Sequence, residues 1–380
     1  MATTIPVFKV FMSPDVQEPL LRVISSGYVG QGPQVEAFES KIAQFIGHGR
    51  SVTLNSATSG LHLALHMIKT GPSNRAKLRD EVLTTPMTCT ATNWTILANG
   101  LKLKWVDIDP ATGNMCPKDA QRKISERSLA LMTVHWGGLP CDLDVFKAVQ
   151  QDCQARFDYM PPVIEDAAHA WCSTYRGSPI GNHGNFVVYS FQAIKNLTTC
   201  DGGLLTLPDE SSYKRAKLLR WYGLDRTSKT EFRCEQNVKE WGFKFHMNDV
   251  NATIGIHNMP HVPALVAKQQ ENVEHYAEAL KGVAGVRSVL PIRHGQGVSS
   301  GWLCTIRVDR RDQFQAMLKS HGIDSSRVHD RNDKHEAVAQ FKSTLPGADA
   351  FCEDMICIPA GWWVTQEDRR HIVSTITKGW

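Results

Sequence analysis

Residues 185–207 read NFVVYSFQAIKNLTTCDGGLLTL, and their pattern decides the fold. Phe186–Phe191 is a β-rich apolar run, and Gly203–Leu207 is a second one. Strands that are apolar on both faces belong to a sheet covered on both sides by helices. Between the two runs stands a single lysine, Lys195, followed by polar residues and a glycine pair, Gly202 and Gly203. A solvated lysine needs no buried strand and tight turn to present it. A lysine whose amine must reach a bound group, partly out of water, does.

Outward from this stretch, strand and helix patterns alternate. Upstream, GPQVEAFESKIAQFIG (Gly32–Gly47) places Val35, Phe38, Ile42, Phe45 and Ile46 at helical spacing, with Pro33 near its start. SVTLNS (Ser51–Ser56) predicts a strand and ATSGLHLALHMIK (Ala57–Lys69) a helix. Further strands are predicted at EVLTTP, LKLKWVDID, LALMTVHW and PPVIEDA, with a helix at LDVFKAVQQDCQ. This alternation predicts an α/β fold with a mainly parallel sheet covered by helices. Near His261–Pro263 the pattern changes to a long helix, two strands, and a last helix opened by a capping signal, Thr365 with Asp368. The expected organisation is a large domain over 1–262 and a smaller C-terminal α/β domain over 263–380. At 380 residues the chain exceeds one ordinary core.

Composition excludes several classes. Charged residues make up 21% and the net charge is +4, with no basic stripe, so nucleic acid and membrane surfaces are not expected partners. No apolar run approaches the roughly 18 residues of a spanning helix. The N-terminus lacks the pattern of a signal peptide. The ten cysteines contain no C-x-x-C pair, so most are expected to be small buried residues in a reducing, cytoplasmic compartment, with no metal site.

Ligands of open parallel sheets sit at the carboxyl ends of the strands. Four candidates lie there. Ser56, Ala57 and Thr58 stand where a strand turns into a helix, whose free N–H groups suit a phosphate; a helix cap alone would also explain them. Asp166 ends an apolar strand with His169 three residues on; a buried carboxylate needs a partner such as a protonated ring nitrogen, though a strand-end acid can also simply cap. His135 precedes a glycine pair and reads more simply as a structural turn. Ser190 and Lys195 form the fourth.

Their order, with SSGYVGQGPQVEAFE, VDIDPATGNM, VHWGGLPCDLD, VIEDAAHAW, GFKFHMNDVNATIG and ICIPAGWWVTQEDRRHIV, resembles the DegT-type sugar-nucleotide aminotransferases over nearly the whole chain. These belong to the fold-type I enzymes that use pyridoxal 5'-phosphate (PLP). The resemblance implies a seven-stranded-type large sheet and a definite set of roles. Lys195 would hold PLP as an imine and move the proton during amino transfer. Asp166 would pair with the pyridine nitrogen, and His169 would sit beside the ring. Ser56, Ala57, Thr58 and Ser190 would hold the phosphate. Glu165 should point away, because strand side chains alternate. Relatives that dehydrate rather than aminate carry histidine at the lysine position, so Lys195 favours transamination.

Three departures stand out. Ala57 replaces the family's glycine. The aromatic residue that covers the ring is missing from TPMTCTATNW, where Cys89 falls nearest and Thr88 or a shifted residue is the alternative. Lys244 replaces an asparagine that in the family reaches the phosphate of the neighbouring subunit. The resemblance further implies a homodimer with shared active sites, a nucleotide-linked keto-sugar substrate such as a 4-keto-6-deoxyhexose, and L-glutamate with 2-oxoglutarate as the donor pair. Glycan, O-antigen or secondary-metabolite sugar synthesis is the implied setting. The loop Ser325–Phe341, with His329, Arg331 and Lys334, lies where the family meets sugar nucleotides. A non-catalytic sensor or scaffold that binds PLP is the alternative.

Overall fold

The protein is described by a computed structural model covering residues 4–74, 79–228 and 232–380. Seven strands form one sheet: β1 (Ser51–Leu54), β2 (Glu81–Thr84), β3 (Lys102–Trp105), β4 (Ser128–Val134), β5 (Val163–Asp166), β6 (Phe186–Ser190) and β7 (Gly203–Thr206). Their spatial order is β1-β7-β6-β5-β4-β2-β3. Strands β3, β2, β4, β5 and β6 run parallel. Strand β7 is antiparallel to both neighbours. The link from β6 to β7 holds no helix to cross over the sheet, so the chain returns beside β6 in the opposite direction. The strand predicted through Asp109 stops at Trp105.

Helices α1 (Pro33–Ile46), α2 (Ala57–Lys69), α3 (Thr90–Ala98), α4 (Leu143–Phe157) and α5 (Asp249–Asn258) cover this sheet. Alternation along β6 sorts its side chains by face. Val187 and Tyr189 join Val35, Phe38 and Ile42 of α1. Phe186 and Val188 join Leu61, Ala64 and Leu65 of α2 and Ile96 of α3. Leu131 and Val163 meet Phe146 and Val149 of α4. Each such fully buried side chain contributes about 1.5–3 kcal/mol against the entropy of ordering the chain. Gly60 lets α2 press onto β6, because a Cβ there would lie 2.8 Å from Cγ1 of Val188.

After residue 261 the chain builds a second sheet. Strands β8 (Val286–Val289), β9 (Cys304–Val308) and β10 (Met355–Ile358) pair antiparallel in that order. Helices α6 (Val262–Ala279), α7 (Arg311–Ser320) and α8 (Gln366–Thr377) supply Val273, Phe314 and Ile372 to its core. The expected capping box of α8 is present, with Thr365 and Asp368 bonding reciprocally. The N-terminal segment reaches this unit too: Ile5 bridges Ile323, and the Trp363 indole donates to the Pro6 carbonyl at 3.0 Å.

No helix among the described residues is long and apolar enough to cross a membrane, and no cluster of metal-ligating side chains occurs among them. The cysteines depart from expectation. All ten are free, but only Cys141, Cys153, Cys304 and Cys357 are fully buried, and Cys89, Cys200 and Cys234 are exposed. Cys89 is a helix cap, Cys200 lies in a loop and Cys234 in the single 3-10 turn Arg233–Glu235, where an apolar neighbour in sequence does not bring burial.

Candidate active site

Strand parity assembles the site at the carboxyl ends of β5 and β6. Asp166 shares a face with Ile164, and Ser190 shares the corresponding face with Val188. Both therefore lie on the side covered by α2 and α3, whose N-termini point to the same edge. Glu165 faces the other way, fully buried, and bonds His135 at 2.8 Å and Asn185 at 2.7 Å. His135 also accepts from the Cys141 N–H at 3.0 Å, so it is a structural residue of a buried polar network.

The Asp166 carboxylate accepts from the Thr92 hydroxyl at 2.7 Å and the Ala168 N–H at 3.1 Å. Burial raises its pKa; the two donors and the Lys195 ammonium oppose that. Thr92 is in turn bonded to Thr88 at 2.8 Å, so the carboxylate is held by a short chain of hydroxyls from α3 and its approach. The remaining lone pairs of Asp166 suit a further donor.

Lys195 sits in the turn after β6, its backbone N–H bonded to the Gln192 carbonyl at 2.9 Å. Its Nζ lies 3.6 Å from the centroid of the Trp302 ring. Burial lowers the amine's pKa to about 7, against the raising effects of Asp166 and Cys89. An ordinary lysine is fully protonated at neutral pH, whereas this one offers a lone pair there and can serve as nucleophile and base.

His169 stacks on Trp302 at 4.0 Å and on the His329 ring at 5.3 Å. The Nε2 atoms of the two histidines are 3.3 Å apart, so one donates and the other accepts. Burial lowers both: His169 far below its ordinary value, and His329 to about 4. Nδ1 of His169 is buried and has no hydrogen-bond partner.

The phosphate candidates gather at the start of α2. Ser56 caps the helix by accepting from the Ser59 N–H at 3.1 Å. The next N–H groups, of Ala57 and Thr58, have no acceptor within the helix. Ala57 has no positive φ, so losing the family's glycine there costs no strain. The glycine that matters is Gly203, paired with Ser190: a Cβ on it would come within 2.4–2.6 Å of the Ser56 and Ala57 backbone. A bare backbone at Gly203 thus draws the Ser190 hydroxyl and the α2 N-terminus to one place.

A phosphate cradle, a buried carboxylate, a low-pKa amine and an orphaned imidazole nitrogen fit PLP. When bound, its protonated ring withdraws electrons from the carbon that carries the transferred amine.

The other predicted residues are dispersed. Cys89 is the exposed cap residue of α3 and lies near enough to act on Lys195. Lys244 is exposed, and its backbone, not its amine, makes contacts: a bridge to Trp221 and a bond from Asn55. His329 reaches the site through His169. Arg331 is bound by Asp333 at 2.7 Å and by Asp349, and Lys334 by Asp330. These two cations are engaged by carboxylates in this arrangement. Thr92 and Trp302 were missed by sequence reading. Thr92 lies within TPMTCTATNW, where only the ring-covering position drew notice. Trp302 comes from the second unit and carries no local signal.

Fold and site together define a PLP-dependent enzyme of fold type I. Residues 12–377 match the DegT/DnrJ/EryC1/StrS aminotransferase family, and the chain belongs to it. It is a PLP-dependent aminotransferase. Among solved structures it is similar to AtS13 from Actinomadura melliaura, with 44% identity, 100% of both chains covered and a TM-score of 0.95. It is also similar to the sugar aminotransferase CalS13 from Micromonospora echinospora, with 43% identity, 99% of this chain and 100% of that one covered, and a TM-score of 0.94. The spore coat polysaccharide biosynthesis protein SpsC of Bacillus subtilis is 32% identical, over 83% of this chain and 80% of its own.

Proposed function

We propose that the enzyme transfers the amino group of L-glutamate to a nucleotide-linked keto-sugar, such as a 4-keto-6-deoxyhexose, and releases 2-oxoglutarate. The observation that carries this reading is the convergence of Asp166, Ser190, Lys195 and the α2 N-terminus at one sheet edge. The likeness to a sugar aminotransferase supports a sugar as the acceptor. Lys195 would hold the cofactor and, with its amine free, would supply the base that moves the proton in amino transfer. Asp166 keeps the cofactor's ring nitrogen protonated, with Thr92 holding the carboxylate in place. His169 orients the ring. The Ser56–Thr58 turn and Ser190 bind the phosphate, and Cys89 falls nearest the position that covers the ring, with Thr88 or a shifted residue as the alternative. His329, Arg331 and Lys334 meet the sugar nucleotide; Arg331 and Lys334 would exchange their carboxylate partners for its diphosphate.

The working unit in this reading is a homodimer with shared sites, in which Lys244 reaches the cofactor phosphate of the second copy. The apolar side chains of Leu21, Ile24, Tyr28, Tyr222 and Trp241, all exposed on one chain, support a second copy covering them. A large domain over 1–262 and a small C-terminal domain over 263–380 form the proposed division, and the cytoplasm is the proposed compartment.

The test is absorbance followed by turnover. The cofactor-loaded protein should lose its visible band when L-glutamate is added and regain it with a nucleotide-linked 4-keto-6-deoxyhexose, with the amino sugar appearing by mass. A protein that holds PLP but changes with no amino donor would instead be the sensor or scaffold.

A further inference from the structure

Lys195 is held by a residue that sequence reading did not find. The Trp302 ring lies under Nζ at 3.6 Å, within the range of a cation–π contact. The same indole donates from Nε1 to the carbonyl of Ile194 at 2.9 Å, one residue before Lys195. Trp302 thus grips both the backbone and the side-chain head of the lysine segment. It also stacks on His169, and Phe8 stacks on it at 5.2 Å.

Its own position is fixed from several sides. Ser300 donates its hydroxyl to the His169 carbonyl at 2.7 Å, and its N–H bonds the Ser173 hydroxyl at 2.9 Å. The Ser299 hydroxyl accepts from the Gly301 N–H at 3.0 Å, and Gly301 has a φ of 67°, which a glycine adopts without strain. The Leu303 N–H bonds the Gly137 carbonyl at 3.3 Å. Trp302 is only 8% exposed, so its face meets Lys195 largely out of water.

We propose that Trp302 is a positioning residue for Lys195: its indole face seats the amine, when it carries a proton and is not bonded to the cofactor, beside the reacting atoms. The inference rests on Lys195 being the cofactor lysine. The chemistry requires such a seat. A lysine that moves the proton in amino transfer would take it up at Nζ and later give it back, the electron pair left behind being drawn toward the cofactor ring. Between the two events it is a cation that must stay beside the reacting atoms without being fixed by a full negative charge. A carboxylate salt bridge would hold the proton too tightly, whereas an aromatic face attracts the ammonium without accepting the proton. The other groups acting on this amine are Asp166 and Cys89, which favour its charge. His169 and His329 are neutral by burial and by the lysine itself. Lys9 sits apart, over Trp362 at 5.4 Å.

The test replaces the indole's electrons rather than its shape. Tetrafluorotryptophan is placed at position 302 in the full-length protein freed of cofactor. Lys195 is then titrated by the pH dependence of its reductive methylation, read on the Lys195 peptide by mass. The inflection is expected to fall by about one pH unit relative to the parent. Trp302→Phe, which keeps an aromatic face, is expected to hold the inflection above that of the fluorinated protein. An inflection that stays put or rises on fluorination, or a phenylalanine variant no higher than the fluorinated one, overturns the proposal. The titration needs neither cofactor nor turnover. Failure of the aminotransferase assignment would show separately, as cofactor bound to a different lysine.

Discussion

Replacing Lys195 by methionine should stabilise the cofactor-free protein in a pH-dependent way. The parent buries an amine whose pKa falls from the ordinary lysine value to about 7. Between that pKa and about 10.4 the unfolded chain holds a proton that the folded chain lacks, so parent stability rises with pH across this window. Below it, the folded protein carries the full cost of a charged amine withdrawn from water. Above it, the cost vanishes. A shift of this size corresponds to about 5 kcal/mol if converted directly; partial access of water to Lys195 reduces this to about 2–4 kcal/mol. Methionine has no proton to lose, so the variant should exceed the parent by that amount plus a constant packing term below about pH 7, and differ by the packing term alone above about pH 10.4. For a chain of this size the difference corresponds to a melting shift of about 3–5 °C. Thermal melts of the two cofactor-free proteins across this range give the measurement. A difference that does not change with pH would refute the claim that the fold holds this amine out of water.

Other perturbations separate the remaining roles. Asp166→Asn should keep the cofactor but lower turnover by about a hundredfold or more, because the ring nitrogen loses the charge opposite it; unchanged turnover would reduce Asp166 to a structural cap. Thr92→Val removes the hydroxyl bonded to Asp166 and should cost about tenfold to a hundredfold in turnover with little loss of melting temperature. Lys244→Ala should weaken cofactor retention by about 1–3 kcal/mol, as for a charge-assisted hydrogen bond. Mixing Lys244→Ala chains with Lys195→Ala chains should restore activity if Lys244 acts on the second copy, since one site per mixed dimer then has both residues. No recovery in mixed dimers verified by mass would place Lys244 outside the shared site.

The parts of the site that sequence reading reached are those fixed by one strand or one turn. Asp166 and Ser190 end apolar runs, and period-two alternation alone puts Glu165 on the opposite face from Asp166. Ser56 stands at a strand-to-helix junction and caps the helix there. The family order of these motifs then supplied the chemistry. What stayed hidden depends on contacts between distant segments. Thr92 meets Asp166 from 74 positions away. Trp302 reaches Lys195 only because the second unit folds against the first. Asp330 and Asp333 stand beside Arg331 and Lys334 in sequence, but Asp349 does not, so the pairing of that loop's cations was only half visible. The antiparallel course of β7 was also hidden, since an apolar run looks the same in either direction.

The central claim is that Lys195 is the residue that carries PLP. Borohydride reduction of the cofactor-loaded protein, followed by peptide mass mapping, tests it directly. The account predicts a phosphopyridoxyl group on the peptide containing Lys195 and none anywhere in the Lys195→Ala protein. Modification of a different lysine, with the Lys195 peptide unlabelled, would contradict it.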